Sequence, residues 1–320
     1  MKKMNQYSTK SHPFTHKKPM KSVKSVFIFL TIVSFSLSVY GQKLPVYWEE
    51  LTASDFVEAV KKSEGVCLVP MGVIEKHGQH LPLGSDVYYA REICRRVAEK
   101  EYCIVFPYFF AGQNFVSMAY PGGIGYSSDL LFRFLDETCK EISRNGIKKI
   151  ILVNGHGGNV DFLQFFCRIQ LETPRDYVVY AITPSVNSEV QQKITEMRKT
   201  TTGGHACEME SSWMMAIRPD LVKIDRASNE SGDNQNLLPL PLRDLTGVRW
   251  YSQYPNQYAG DGKDANAALG EIHLNGCTDE LVKVVKVIKA DKTTLQLYND
   301  FFKNKHSPLE TKAWETKVHQ

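Results

Sequence analysis

Short apolar runs alternate with longer amphipathic segments along most of the chain. The runs are bounded by polar and turn residues, which predicts four buried strands, at 66–69, 103–106, 149–153 and 177–182. Helical spacing and capping residues predict the main helices, at 86–100, 127–144, 159–171 and 278–302. Strands that alternate with helices are typical of βαβ units. The pattern therefore predicts a three-layer α/β/α fold with a mainly parallel sheet that helices cover on both faces.

The first 41 residues follow a different pattern. A basic stretch ends at Lys24, an apolar run covers 26–33, and the small residue Gly41 precedes Gln42. This is the order of a secretory signal, and the run is shorter than the roughly 20 residues of a membrane span. We therefore expect residues 1–41 to be a cleaved signal peptide and residues 42–320 to form one exported domain, periplasmic or secreted. An uncleaved N-terminal anchor is the alternative.

Composition and charge exclude several classes of protein. Of the 320 residues, 42% are hydrophobic and 23% are charged, which is the balance of a globular domain. Seven of the 39 basic residues and none of the 35 acidic residues lie within residues 1–41, so the rest of the chain carries 32 against 35, a net charge of −3. This charge does not favour nucleic acid as a partner. Seven scattered cysteines without a CxxC pair do not form a disulfide framework, although one bridge stays open.

Polar residues that can carry chemistry concentrate in three segments, of which the first is the densest. Glu75, His77, His80 and Asp86 fall within twelve residues. In an extended backbone Glu75 and His77 point to the same face, and Asp86 lies at a predicted helix start, where a carboxylate is favoured. Each residue alone has an ordinary structural role. Two acids and two histidines this close together are hard to explain by packing.

The second and third segments supply more ligands of the same kind. Asn154-Gly-His156-Gly-Gly-Asn159 directly follows a predicted strand, and residues 203–212 contain His205, Glu208 and Glu210. Ligands in parallel sheets bind beyond the carboxyl ends of the strands, so we expect all three segments at one edge of the sheet. Imidazole with carboxylate suits Zn, Mn or Fe, and a carboxylate can bridge two ions that activate water and polarise a carbonyl. No Lys-Ser/Thr follows the glycines, which excludes a P-loop.

Together the three segments resemble the signatures of the creatininase family. The matching patterns are Glu75-x-His77-Gly-x-His80-Leu-Pro-x-Gly-x-Asp86, then Asn154-Gly-His156-Gly-Gly-Asn159, then His205-Ala-x-Glu208-x-Glu210-x-Ser212. The resemblance spans roughly residues 66–271. It implies a three-layer α/β fold, a binuclear metal centre and a ring-like homo-oligomer, often a hexamer. Its members hydrolyse non-peptide amides, including the cyclic amide of creatinine, and one branch trims the end of a small modified peptide.

The resemblance also implies roles for individual residues. Four of them match the metal ligands, with Asp86 as the bridge: Glu75, His77, Asp86 and His156. His205 matches the residue that handles the proton near the scissile amide, and Glu210 is its expected assistant. Creatininase has a further ligand, a glutamate, where Gly158 stands here. We expect Glu208 to replace that ligand, with Glu210 as the alternative.

These observations predict that residues 42–320 form a metal-dependent hydrolase domain. The expected substrate is a small-molecule amide whose C–N bond is not a peptide bond, and the expected cofactors are two divalent ions, Zn, Mn or Fe. Residues 115–121 lack the acid and histidine that many relatives place there, so creatinine itself is not implied. Three alternatives stay open: a catalytically reduced metal-binding scaffold, a hydrolase that trims small peptides, and a phosphoester hydrolase.

Overall fold

Four parallel strands form the central sheet of the protein, in a computed structural model that describes residues 43–239 and 246–312. The strand order is β2-β1-β3-β4. The strands are β1 (Val66–Met71), β2 (Ile104–Val105), β3 (Lys149–Asn154) and β4 (Val178–Ile182). All four fall where the apolar runs predict them. The expected signal peptide lies outside the described residues.

Helices flank the sheet, and a second small sheet accompanies it. The helices are α1 (Ala53–Lys62), α2 (Ser85–Lys100), α3 (Ser128–Arg144), α4 (Asn159–Ile169), α5 (Ser188–Met197), α6 (Glu208–Ile217), α7 (Arg249–Gln253), α8 (Ala267–Ala290) and α9 (Thr294–His306). Short 3-10 helices lie at Trp48–Glu50, Val116–Ala119, Pro219–Leu221, Ile224–Asn229 and Pro308–Glu310. The small sheet pairs β5 (Gly203–His205) with β6 (Ala259–Gly260).

The alternation of side chains along β1 explains the three layers. Cys67, Val69 and Met71 pack into one core with side chains of α1, α3 and α4. Val66 and Leu68 point to the opposite face and pack with α2 and α8. Because successive side chains of a strand point to opposite faces, a strand buried on both sides needs a helical layer on each. The predicted mainly parallel α/β/α architecture is confirmed.

The third polar segment reaches the predicted edge of the central sheet, but it does not follow a strand of that sheet. It forms β5, which pairs antiparallel with β6 in the separate sheet. The helix that follows it, α6, packs against α2 and α8. This packing brings the segment to the ends of β1 and β3 without any pairing to them.

The long helix expected over 278–302 is two helices, and the first starts earlier. The Asn266 side chain accepts a hydrogen bond from Leu269 N at 2.9 Å and caps α8, which begins at Ala267, eleven residues before the expected start. Asp291 follows α8 in an extended conformation and accepts a hydrogen bond from Thr293 N at 2.8 Å. A side chain that satisfies free N–H groups favours a new helix start over continuation of the old helix.

Two further features bear on the expected cellular context. None of the helices in the described ranges is long and apolar enough to cross a membrane. All seven cysteines are free thiols, and six of them are buried. The thiols pack as small apolar side chains, as the sequence predicts.

Candidate metal centre

The first two polar segments meet because β1 and β3 are neighbours in the sheet. Met71 at the end of β1 lies opposite Asn154 at the end of β3. The loop after β1 carries Glu75 and His77, the turn after β3 carries His156, and the first turn of α2 carries Asp86. Two groups of three residues could each hold a metal ion, because the ligand atoms within each group lie within 4.8 Å of one another. Both groups contain Glu75: one adds His77 and His205, and the other adds Asp86 and His156.

Asp86 connects the two histidines of the cluster. Its Oδ1 atom lies 3.1 Å from His77 Nε2, and its Oδ2 atom lies 2.9 Å from His156 Nδ1. The carboxylate is thus placed between two imidazoles with one oxygen directed at each. This is the arrangement that a bridging carboxylate needs.

The three histidines of the site share one hydrogen-bonding pattern. One ring nitrogen of each contacts a backbone carbonyl: His77 Nδ1 with Glu75 O at 3.1 Å, His156 Nε2 with Gln113 O at 3.0 Å, and His205 Nε2 with Lys76 O at 2.7 Å. Because a carbonyl only accepts, that nitrogen carries the proton. In the neutral ring the other nitrogen then directs its lone pair at the carboxylates. Histidines that bind metals are typically fixed in this way.

Two carboxylate oxygens at the centre of the cluster indicate that it fits a cation. Glu75 Oε1 and Asp86 Oδ2 are buried and have no hydrogen-bond donor, although each lies 2.9 Å from His156 Nδ1. A lone pair facing two carboxylate oxygens is repulsive unless a proton or a metal ion lies between them. The mixture of imidazole and carboxylate suits Zn, Mn or Fe.

Electrostatics at the cluster follow from the same contacts. Burial alone would lower the pKa of His77, but the carboxylates of Asp86, Glu75 and Glu210 outweigh it and raise the pKa to about 10. The pKa of His156 is likewise raised well above its usual value, by Glu75 and Asp86 against burial. Burial would raise the pKa of Asp86, yet the two imidazoles hold it far below its usual value. A positive charge at this position, proton or metal, is therefore strongly stabilised.

Of the two glutamates in the third segment, the structure brings only Glu210 to the cluster. Glu210 Oε2 lies 3.9 Å from His77 Nε2 and 3.8 Å from His205 Nδ1. Glu208 is fully buried elsewhere, where its carboxylate accepts hydrogen bonds from Lys199 N at 3.0 Å and Thr200 N at 2.8 Å. Residues two apart on a helix point about 200° away from each other. The expected replacement ligand Glu208 thus lies apart from the site, and the alternative faces it.

Comparison with known proteins identifies the family. A family model described as "Creatininase: Creatinine amidohydrolase" matches residues 49–285, which is most of the chain. The protein belongs to the creatininase family. The resemblance that the three motifs carry is confirmed.

Relatives within the creatininase family have diverse names. Creatinine amidohydrolase of Pseudomonas putida is 27% identical over 198 residues, 57% of this chain and 75% of that protein. The 3-dehydro-scyllo-inosose hydrolase of Thermotoga maritima is 24% identical over 76% of this chain and 83% of its own length. The mycofactocin precursor peptide peptidase of Mycolicibacterium smegmatis is 29% identical over 67% of this chain and 83% of its own length.

A solved structure named "Creatininase Mn" has the same fold. It superposes with a TM-score of 0.64 and 23% sequence identity, covering 77% of this chain and 99% of that chain. Like this protein, the solved creatininases have a mainly parallel sheet with helices on both sides. Metal-dependent hydrolysis is the chemistry of the creatininase family.

Gly158 marks a departure within this creatininase-family site. A Cβ atom at this position would lie 2.5 Å from both His156 Nε2 and Gln113 Oε1. Real Cβ atoms essentially never approach other atoms so closely, so a glutamate would require the Gln113 segment to move. The space that such a side chain would need is filled by the residue whose backbone carbonyl fixes His156.

Gln257 is a site residue that the sequence motifs did not identify. It is 2% exposed, its Nε2 donates to Glu75 Oε2 at 3.3 Å, and its Oε1 accepts from Trp250 Nε1 at 2.7 Å. Its backbone φ is +55°, as is that of Ala206, which follows His205. Non-glycine residues with positive φ are strained and cluster at functional sites. No local pattern around Gln257 signals this role, because its partners lie 182 and 7 residues away.

Proposed function

We propose that the protein is a divalent-metal-dependent hydrolase that cleaves the C–N bond of a small non-peptide amide. The observation that carries the proposal is the pair of buried carboxylate oxygens, Glu75 Oε1 and Asp86 Oδ2, that converge on His156 Nδ1 without a hydrogen-bond donor. Family membership supports it, because creatininase-family members are metal-dependent hydrolases. Creatininases with Mn and of "Zn-Zn type" are among the similar folds.

Four residues of the cluster would hold two divalent ions, Zn, Mn or Fe, in this proposal: Glu75, His77, Asp86 and His156. Glu210, whose Oε2 lies 3.9 Å from His77 Nε2, is the proposed fifth ligand. Bound there, a metal pair lowers the pKa of water toward neutrality and polarises a carbonyl group. The protein's own part is to fix the ligands through the carbonyl contacts of the histidines.

His205 moves the proton in the proposed reaction. Its Nε2–H is held by Lys76 O, so Nδ1 is the free base that faces Glu75 and Glu210. His205 Nδ1 takes the proton that water loses as its oxygen bonds to the amide carbon. It returns that proton to the nitrogen as the C–N bond breaks. Glu210 Oε2, 3.8 Å from Nδ1, stabilises the imidazolium between these steps. Gly157 and Gly158 line the pocket, and their N–H groups are proposed donors to the carbonyl oxygen.

A short peptide is the second candidate substrate. The relative that is 29% identical to this chain is a precursor peptide peptidase, which favours this alternative. Creatinine amidohydrolase, at 27% identity, favours the non-peptide amide. Turnover of an unmodified dipeptide and of a lactam of similar size separates the two candidates, because the dipeptide contains only a peptide C–N bond.

We propose further that the working domain is exported after loss of residues 1–41 and that it forms a homo-oligomer, in the size range of a hexamer. Expression of the full chain with fractionation of the cell tests export, and light scattering of the purified protein tests assembly. Recovery of the protein in the cytoplasm with residues 1–41 attached would contradict the first proposal. A monomer mass would contradict the second.

Metal analysis of matched variants tests the proposed centre. Asp86→Asn and Glu208→Gln each neutralise a buried acid, but only Asp86 lies in the cluster. We expect two ions per chain in the wild type and in Glu208→Gln, and loss of at least one ion in Asp86→Asn. Equal metal content in the two variants would refute the assigned ligand set.

His205→Asn tests the proton role separately from metal binding. The variant should keep its metal and lose about 10²–10⁴-fold in kcat, the range of a lost general acid or base. If its metal content falls as in Asp86→Asn, His205 is a ligand. Turnover at the wild-type rate would remove His205 from the mechanism.

A further inference from the structure

The pocket over the metal centre has an apolar side as well as a polar one. Its volume is about 770 Å³, within the range that holds a drug-sized ligand. Glu75, Asp86, His156, His205 and Glu210 line one part of it. A second part is apolar and comes from α3, from α4 and from the start of the 3-10 helix at Val116–Ala119 with the residue before it: Phe115, Val116, Leu131, Phe132, Phe162 and Phe165.

Three of these side chains form what we call the aromatic wall: Phe132, Phe162 and Phe165. The ring of Phe132 packs edge-on against both others, with centroids 4.9 Å from Phe162 and 5.7 Å from Phe165. Phe162 is buried, whereas Phe165 is 54% exposed. Edge-to-face packing is favourable, and Phe165 is the ring of the wall with the most exposed surface for a further apolar group.

The polar lining residues outside the cluster carry no net charge. Asp161 and Arg249 carry opposite charges, and Arg249 donates to Leu238 O at 3.2 Å. Asn114 is buried and donates to two backbone carbonyls, at 2.9 and 3.1 Å. Among the described lining residues there is therefore no pair of cations that could clamp a carboxylate or phosphate.

We propose that the amide substrate carries a bulky apolar substituent, aromatic by preference, that packs on the aromatic wall. This inference rests on the proposed hydrolase function and narrows its substrate class. Exposed apolar surface that a ligand covers contributes to affinity in proportion to the buried area. A small polar amide would leave the wall in water and forgo that contribution.

The affinity of hydroxamates measures how much the aromatic wall contributes to binding, and the measurement does not require turnover. Acetohydroxamate, hexanohydroxamate and phenylacetohydroxamate share one head group and differ only in the apolar part. In calorimetric titrations of the metal-loaded protein, affinity should rise about fourfold for each added methylene and be highest for the phenyl compound. Equal affinity for the acetyl and phenylacetyl compounds would overturn the inference.

Variants of Phe165, the exposed ring of the aromatic wall, test whether the gain in hydroxamate affinity comes from contact with the wall. Phe165→Ala should weaken phenylacetohydroxamate about tenfold and leave acetohydroxamate unchanged, and Phe165→Leu should restore part of the loss. Phe301→Ala is the matched control, because Phe301 is a 40% exposed ring on α9 that does not line the pocket. An unchanged affinity in Phe165→Ala, or an equal loss in Phe301→Ala, would refute the role of the wall.

Turnover separates this inference from the proposed function. The amide panel is acetamide, phenylacetamide and N-benzylacetamide, so that the ring lies on either side of the scissile bond. If acetamide is hydrolysed as fast as both aromatic amides, the inference about the aromatic wall is contradicted, but the proposed hydrolase function is not. If phenylacetohydroxamate binds tightly and its binding depends on Phe165, but no amide of the panel is hydrolysed, the apolar contact with the aromatic wall is supported and the proposed hydrolase function is contradicted.

Discussion

Gln257 joins the pocket to the candidate ligand Glu75 through two side-chain hydrogen bonds, and this makes it a positioning residue. Gln257→Leu keeps the size of the side chain and removes both bonds. We expect a loss of about 1–3 kcal/mol in the free energy of unfolding, because the part-buried Trp250 N–H and Glu75 lose a partner. We also expect roughly tenfold lower kcat/KM with metal content unchanged, measured by thermal denaturation, kinetics and metal analysis.

Gln79→Leu provides the matched control for this prediction. The Gln79 side chain also makes one bond to a glutamate, Glu230, at 2.7 Å, but that bond is exposed. The free energy of unfolding should change by at most about 0.5 kcal/mol. If Gln257→Leu is no more harmful than Gln79→Leu, the bridge to Glu75 has no positioning role.

Single residues set the limit of what the sequence predicts about the site. The motifs place Glu75, His77, Asp86 and His156 together because short spacing and neighbouring strand ends suffice to bring them close. The choice between Glu208 and Glu210 depended on the helical phase of α6, which the sequence pattern around 203–212 did not establish. Gln257 was missed because its contact with Glu75 joins positions 182 residues apart.

At the scale of elements, His273 on α8 lies where three helices meet. Its ring stacks on Trp213 of α6 with centroids 4.8 Å apart and lies 6.1 Å from Tyr89 of α2. Burial lowers the pKa of His273 to about 4. In the unfolded chain the imidazole takes up a proton near pH 6.5, whereas in the folded protein it stays neutral until the pH nears 4. The stability that the neutral, buried ring contributes is therefore complete above about pH 6.5 and is lost as pH falls toward 4. The difference amounts to about 3 kcal/mol.

His273→Phe tests this linkage, because phenylalanine keeps the stacked ring and does not titrate. The free energy of unfolding, measured by urea denaturation from pH 7.5 to 4, should fall less steeply in the variant than in the wild type, by about 3 kcal/mol over the range. His306→Gln is the control, since His306 is exposed on α9. Parallel pH profiles of wild type and His273→Phe would show that His273 does not titrate in this window.

The sequence predicts those helices and strands whose spacing and capping residues lie within the element itself. It does not predict those that form only by contact with residues distant in the sequence. The helix α2 has a carboxylate near its start and basic residues near its end, and its observed bounds differ from the prediction by one residue. The two-residue β6 and the three-residue β5 have no periodicity to detect, since they exist by pairing with each other. The break between α8 and α9 lies at a single residue, Asp291, which is extended and accepts hydrogen bonds from Thr293 N and Thr294 N inside an otherwise helical pattern.

At the scale of the whole molecule, the two cores on either side of the sheet fix the ends of β1 and β3 and so fix the candidate metal ligands that follow them. One core contains side chains of α1, α3 and α4, and the other contains side chains of α2 and α8. Asp86 is on α2 and the aromatic wall is on α3 and α4. Opposite layers therefore supply the proposed ligand and the proposed substrate contact, and both meet at the carboxyl edge of the sheet.

The thiols give the last prediction for the molecule as a whole. Burial raises the pKa of Cys67 and Cys94 well above the usual value, that of Cys103 to about 12 and that of Cys277 to about 11. Because the thiolate is the reactive form, these residues should stay reduced even if the protein is exported. Alkylation in denaturant without a reductant should label seven thiols per chain by mass spectrometry, and loss of residues 1–41 removes no cysteine. Labelling of five thiols, rising to seven after reduction, would show that the protein contains one disulfide and would contradict this prediction.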